Sequence, residues 1–190
     1  METLSTNNYY HIYNHANGSE NLFRADENYE YFLKKYAFHV SYIAYAYCLL
    51  PNHFHLLVKI KDDDNLRKTF PKLGYNISKQ FSNLFSSYTQ SYNKVYGRKG
   101  SLFIKNFNRK EVNNQSYFTN LIHYIHNNPI HHGFGISPED WRWSSYQSIL
   151  SDKKTLLMRD ETITLFGSKE QFIKKHQKPI DPSFFNDYSY

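Results

Sequence analysis

Cysteine is nearly missing: Cys48 is the only one among 190 residues. No disulfide can close within the chain and no cysteine-built zinc site can form. That economy fits a reducing cytoplasm, the expected location. Long apolar runs are missing too. No stretch approaches the roughly 20 residues that span a bilayer, so no membrane partner is expected. Met1 to Asn8 is polar and lacks the basic-then-apolar order of a secretory leader. Glycine and proline are few, at 7 and 6 residues, and neither a P-loop lysine motif nor the Cys-x-x-Cys of a zinc deaminase is present. Acidic residues are in deficit: 17 against 23 basic ones leave a net charge of +6 and a pI near 9.2. A surplus of that sign favours polyanions, nucleic acid first among them. A soluble basic surface is the plainer reading of charge alone.

Hydrophobic residues make up 40% of the chain, which suits a globular protein with a real core, as one domain or a domain plus an extension. The 18 tyrosines and 15 phenylalanines must mostly pack, yet they leave many candidate hydroxyls. Tyr9 to Tyr13 reads as a strand entering a turn-prone loop, Asn14 to Gly18. Asp26 is a candidate N-cap for a helix carrying Tyr29, Phe32, Leu33 and Tyr36. Ser41 to Leu50 reads as a second strand, joined through Pro51-Asn52 to a third in an antiparallel hairpin. Asp62-Asp63-Asp64 reads as a solvated turn, and Leu66 to Tyr92 as broadly helical, interrupted near Pro71 and Gly74. Leu102 to Phe107 is a candidate fourth strand, and Asn113 to Asn127 an amphipathic helix ended by Pro129. The order strand, helix, strand, strand, helix, strand, then helix predicts an α+β, ferredoxin-like (RRM-like) antiparallel sheet with helices on one face and a further helix after it.

The third strand carries the most information. In Pro51 to Ile60 the apolar residues Phe54, Leu56, Val58 and Ile60 alternate with the rest, so they share one face and turn His53 and His55 to the other. Two neighbouring imidazoles on a rigid strand can hold a divalent metal ion. An isolated His-x-His is more often an exposed or structurally satisfied pair. Turning Phe118, Leu121, Ile122 and Ile125 inward puts Tyr117, Tyr124 and Asn128 along one flank of the last helix. Tyr124 and Asn128, at i and i+4, can reach one place. The Asn128 amide oxygen could be the third ligand and the Tyr124 hydroxyl a nucleophile. A phenol with a pKa near 10 needs activation for that.

His53-Phe54-His55 resembles the His-hydrophobic-His motif of the single-tyrosine HUH transposases. Tyr124-Ile125-His126-Asn127-Asn128-Pro129 resembles the Tyr-Ile-x-x-Asn-Pro segment of their REP-associated branch. Asn14 to Gly18, Phe23-Arg24 and Trp141-Arg142-Trp143-Ser144-Ser145 are similar to its early Asn-rich loop, Phe-Arg pair and closing Trp-Ser-Ser segment. The resemblance covers about residues 8 to 150; residues 151 to 190 are an extension without an assigned role. It implies a transposase that cuts and rejoins single-stranded DNA near hairpins, with Tyr124 attacking a phosphate to form a 5′-phosphotyrosine. It further implies Mg²⁺ or Mn²⁺ on His53, His55 and Asn128, and a monomer or a homodimer that exchanges the tyrosine helix. His15-Ala16 stands where relatives often have Arg-Gly.

Asn14 and Asn17 of the early loop, with the basic residues Arg98, Lys99, Lys105, Arg109 and Lys110, are the expected DNA contacts. His131 and His132 are expected to face solvent. Two further classes stand beside the enzyme: a host-adopted relative that binds hairpin DNA or RNA without cutting, and an unrelated metal hydrolase. The last lacks the carboxylates or extra histidines such a site would be expected to carry.

Overall fold

The computed structural model describes residues 3–39, 43–62 and 77–180. Its elements run β1 (Tyr9–His15), α1 (Asp26–His39), β2 (Ile43–Leu50), β3 (His53–Lys59), α2 (Ile77–Tyr96), β4 (Asn108–Val112) and α3 (Gln115–His131). A 3-10 turn (Pro138–Asp140) and three short helices follow: α4 (Tyr146–Leu150), α5 (Arg159–Phe166) and α6 (Lys169–His176). The expected turn at Asp63-Asp64 and the start of the long helix around Pro71 and Gly74 lie outside the described residues. Among the described residues the strands form one antiparallel sheet in the order β2-β3-β1-β4, the ferredoxin-like arrangement expected. No helix of the described residues is long and apolar enough to cross a membrane.

Alternation along β3 divides the core in two. Phe54, Leu56, Val58 and Ile60 pack with Phe32 of α1 and Phe81, Leu84 and Phe85 of α2. Leu57 packs on the opposite face with Leu121, Ile122 and Ile125 of α3 and Phe172 of α6. The tyrosine-bearing helix thus covers the face that holds His53 and His55. Phe54 has no solvent exposure, and truncating such a ring costs about 3–5 kcal/mol. The extension shares the second core through Ile163, Phe166, Phe172 and Ile173.

Four boundaries differ from expectation. β1 continues to His15 because its pairing with β3 runs to the His15–His53 pair, and Ala16 N–H donates to Asn52 O at 2.7 Å. The fourth strand is Asn108–Val112, not Leu102 to Phe107. Leu102 and Ile104 are tied to the loop after β1 (Asn17 N–H to Leu102 O, 2.8 Å; Ile104 N–H to His15 O, 2.9 Å), and Asn106 at φ 67° breaks the extended run. Pro129 does not end α3, which continues to His131. Only the final turn follows the proline, and His132 N–H (to Asn128 O, 3.2 Å) and Phe134 N–H (to Pro129 O, 2.9 Å) close it. Asp26 is the first residue of α1; the side-chain acceptor there is Asn28 Oδ1, which takes Arg24 N–H at 2.8 Å and Ala25 N–H at 3.2 Å.

The Trp-Ser-Ser segment runs along β2. Leu49 N–H donates to Trp143 O (2.9 Å) and Ser145 N–H to Tyr47 O (2.9 Å), while Trp141 Nε1–H reaches Leu49 O at 2.8 Å. These bonds cover a sheet edge that would otherwise present unpaired backbone.

Candidate active site

β3 and α3 bring the four key residues together in one chain. His53 Nε2 lies 3.0 Å from Asn128 Oδ1. The Tyr124 ring stands edge-on to His55, centroids 5.4 Å apart, and Tyr124 and Asn128 interact along the helix. Asn114 starts α3, its Oδ1 accepting Tyr117 N–H at 2.8 Å. From there the helical period carries Tyr124 and Asn128 onto the sheet. All four residues are buried, none more than 3% exposed.

β1 supplies the residue the sequence reading missed. His11, fully buried, puts Nε2 2.9 Å from His55 Nδ1, with the two rings stacked at 5.0 Å. Tyr13 stacks on both His11 (4.7 Å) and His55 (5.7 Å). His15 stacks on His53 at 5.7 Å. His132, at the end of α3, sets its ring 4.8 Å from that of His53. His131 and His132 are exposed as expected, but His132 also forms part of the rim. The signal for His11, Tyr13 and His15 was present as a period of two in β1. It becomes meaningful only once β1 is known to pair with β3.

Electrostatics leave the imidazoles neutral. Burial holds His53 down to about 3, against the opposing hydrogen bond to Asn128. Burial and then Lys110 take His11 to about 3. His55 is lowered well below the usual histidine range by burial, with His11 and His53 adding to it. Neutral rings are what a cation requires of its histidine ligands. The Tyr124 phenol moves the other way: burial raises its pKa, partly offset by Asn128.

The donor set fits a divalent cation. Neutral His53 carries a single N–H yet meets two oxygens, Asn52 Oδ1 at 2.8 Å and Asn128 Oδ1 at 3.0 Å. Giving the proton to the nearer one leaves the Nε2 lone pair beside the Asn128 oxygen. In an octahedral shell with bonds of ~2.1 Å, adjacent ligands stand ~3.0 Å apart. Asn128 Nδ2 is buried with no hydrogen-bond partner in this amide orientation, so the carboxamide is not fixed by protein bonds on both sides. The described residues hold no group of three or more His, Cys, Asp or Glu arranged for a metal. The candidate ligands are therefore two imidazoles and a carboxamide, without a carboxylate.

The expected DNA contacts divide. Lys99, Lys105 and Asn17 are exposed. Asn14 is 1% exposed, its amide spent on Ile104 O (3.2 Å) and His15 N–H (2.9 Å), so it braces the loop. Arg98 is spent as well, on Glu20 (3.0 Å) and Asn93 Oδ1 (2.6 Å). Arg109 bonds Ser78 Oγ at 2.6 Å and lies over Phe107, while Lys110 sits across from His11 and over the Tyr117 ring.

No family model matches the chain. A Haemophilus influenzae protein assigned by name to the REP-associated tyrosine transposases is 26% identical over 109 residues, 57% of this chain and 61% of that protein. The chain thus spans about three fifths of the length of that curated relative. A solved structure of a REP-associated tyrosine transposase bound to a REP hairpin has the same fold. It shares 14% identity at a TM-score of 0.63, covering 80% of this chain and 84% of that one.

Proposed function

We propose that this chain, a relative of the REP-associated tyrosine transposases by sequence and fold, cleaves and rejoins single-stranded DNA beside a hairpin. Tyr124 is the nucleophile. Its oxygen attacks a backbone phosphorus, the phenolic proton leaves, and the P–O3′ bond breaks. The products are a 5′-phosphotyrosine and a free 3′-hydroxyl, which can later reverse the exchange without a nucleotide cofactor. The observation that carries this reading is the meeting of Tyr124 and Asn128 of α3 with His53 and His55 of β3.

His53, His55 and Asn128 would hold Mg²⁺ or Mn²⁺, and the imidazoles suit the softer Mn²⁺. When bound, the ion supplies a Lewis acid that neutralises phosphate charge and favours the phenolate. A ligand set without a carboxylate leaves the ion's charge uncompensated, so the DNA phosphate is expected to tighten metal binding. Lys99 and Lys105, exposed beside the loop after β1, hold the flanking backbone. The ligands and the nucleophile lie within one chain, which supports action without exchange of the tyrosine helix.

Burial of the phenol and its raised pKa favour one other reading, a protein that binds hairpins without cutting. A single experiment separates the two. The protein is incubated with a panel of labelled single-stranded hairpin DNAs and Mn²⁺ and run on a denaturing gel. The expected result is a covalent adduct that is lost in Tyr124→Phe while DNA binding persists. Hairpin binding across the panel with no adduct would refute cleavage and leave the binding protein.

A further inference from the structure

We infer that His11 is a positioning residue: by accepting a hydrogen bond at Nε2 from His55 Nδ1, it fixes the tautomer in which His55 Nε2 can ligate a cation. The inference rests on the metal reading above and deepens it.

Two nitrogens of neutral imidazoles 2.9 Å apart share one proton, so one ring donates and the other accepts. If His55 donates from Nδ1, its Nε2 keeps a lone pair. If His11 donates from Nε2 instead, His55 must carry its proton on Nε2 and cannot bind a metal there. Which of the two rings donates across this contact therefore decides whether the His53-x-His55 pair has two ligands or one. A partner on the far nitrogen commonly sets tautomer, ring orientation and basicity in this way.

The contact is built rather than incidental. β1 and β3 are neighbouring strands with Tyr13 directly across from His55, and His11 two pairs further along, across from Leu57. The His11 ring is therefore diagonal to His55, and the two stack with an interplanar angle of 23°. Tyr13 covers both rings. Neither imidazole is more than 1% exposed, so water does not compete for the bond.

The test reads the tautomer directly, without DNA. Imidazole ¹⁵N NMR of the metal-free protein is expected to show His55 protonated on Nδ1. In His11→Phe, which keeps an aromatic ring but offers no acceptor, that preference should disappear, and Mn²⁺ affinity measured by EPR titration should fall about 10–100-fold. In His11→Gln, whose amide oxygen can stand in for Nε2, both should return to within a few-fold of the parent. A merely structural role would affect the unfolding midpoint of both variants without moving the tautomer. His55 protonated on Nε2 in the parent, or a His55 tautomer unchanged in His11→Phe, would overturn the inference. A parent with the expected tautomer that takes up no Mn²⁺ would instead overturn the metal reading, on a separate readout.

Discussion

Helix α3 carries two sets of buried imidazoles almost side by side. On one flank Tyr124 and Asn128 meet His53 and His55. On another, His126 meets His176 and Ser145. In the second set a backbone carbonyl decides every proton. His176 Nδ1 lies 2.7 Å from Phe172 O, and a carbonyl can only accept, so that nitrogen donates. His176 Nε2 must then accept from His126 Nδ1 at 2.9 Å. His126 Nε2 in turn accepts from the Ser145 hydroxyl at 2.7 Å, whose oxygen takes Tyr47 N–H at 2.9 Å. The chain is satisfied throughout by neutral rings. In the first set His53 and His55 meet Asn52, Asn128 and His11, groups that can either give or take a proton. One cluster is closed and structural; the other can be turned by a ligand. Ser145 superficially resembles an activated nucleophile, but it has no solvent exposure and its hydroxyl is committed to His126 and to Tyr47 N–H.

Exchanging the perturbations between the clusters should give the largest contrast. His53→Ala is expected to lower Mn²⁺-dependent adduct formation by more than about 100-fold. Ser145→Ala should leave Mn²⁺ uptake unchanged and cost about 1–3 kcal/mol by leaving Tyr47 N–H and His126 without their partner. At this chain length that lowers the unfolding midpoint by about 2–4 °C per kcal/mol. Calorimetry and a gel assay on both variants check it. If Ser145→Ala abolished metal uptake while His53→Ala spared it, the division between the clusters would collapse.

Acid should act visibly on the closed cluster. Burial, with smaller contributions from His123 and Lys175 against the Phe172 and Ile122 carbonyls, lowers His176 from the ordinary 6.5 to about 3. The unfolded chain therefore binds the proton first. This residue's contribution to stability is whole above pH 6.5 and is lost as the pH falls towards 3, at up to about 1.4 kcal/mol per pH unit. His176→Phe should be less stable at pH 7, because His126 loses its acceptor, and should show a shallower decline between pH 6 and 4. Unfolding midpoints across that range measure the slope; an unchanged slope would mean that His176 does not titrate as its burial requires.

Much of this arrangement was legible in the sequence because it follows short-range periods. The alternation of Phe54, Leu56, Val58 and Ile60 separated core from site on β3, and helical spacing aligned Tyr124 with Asn128. What depended on tertiary pairing was hidden. His11 looked like an ordinary strand residue until β1 was seen beside β3. His176, in an extension without an assigned role, became informative only when α6 was seen against α3. The bonds that hold Arg98 and Asn14, both expected as DNA contacts, were hidden for a related reason: their partners, Glu20 at 3.0 Å and Ile104 O at 3.2 Å, are distant in sequence, and local composition does not reveal such bonds.

Those bonds yield the smallest of the expected effects. Lys99 and Lys105 are exposed, whereas Arg98 is tied to Glu20, Asn93 and Ser101. If the two lysines meet DNA phosphates, Lys99→Ala and Lys105→Ala should each weaken hairpin binding about equally for every sequence. Each should also reduce the slope of log affinity against log salt by ~0.7–1, the value of one released counterion contact. Arg98→Ala should leave the slope alone, since its guanidinium is already neutralised, and should lower stability by freeing the Glu20 carboxylate and the loop it holds. Binding titrations at several salt concentrations distinguish these outcomes. A slope that fell for Arg98→Ala and held for both lysines would reassign the DNA path to the far side of that ion pair.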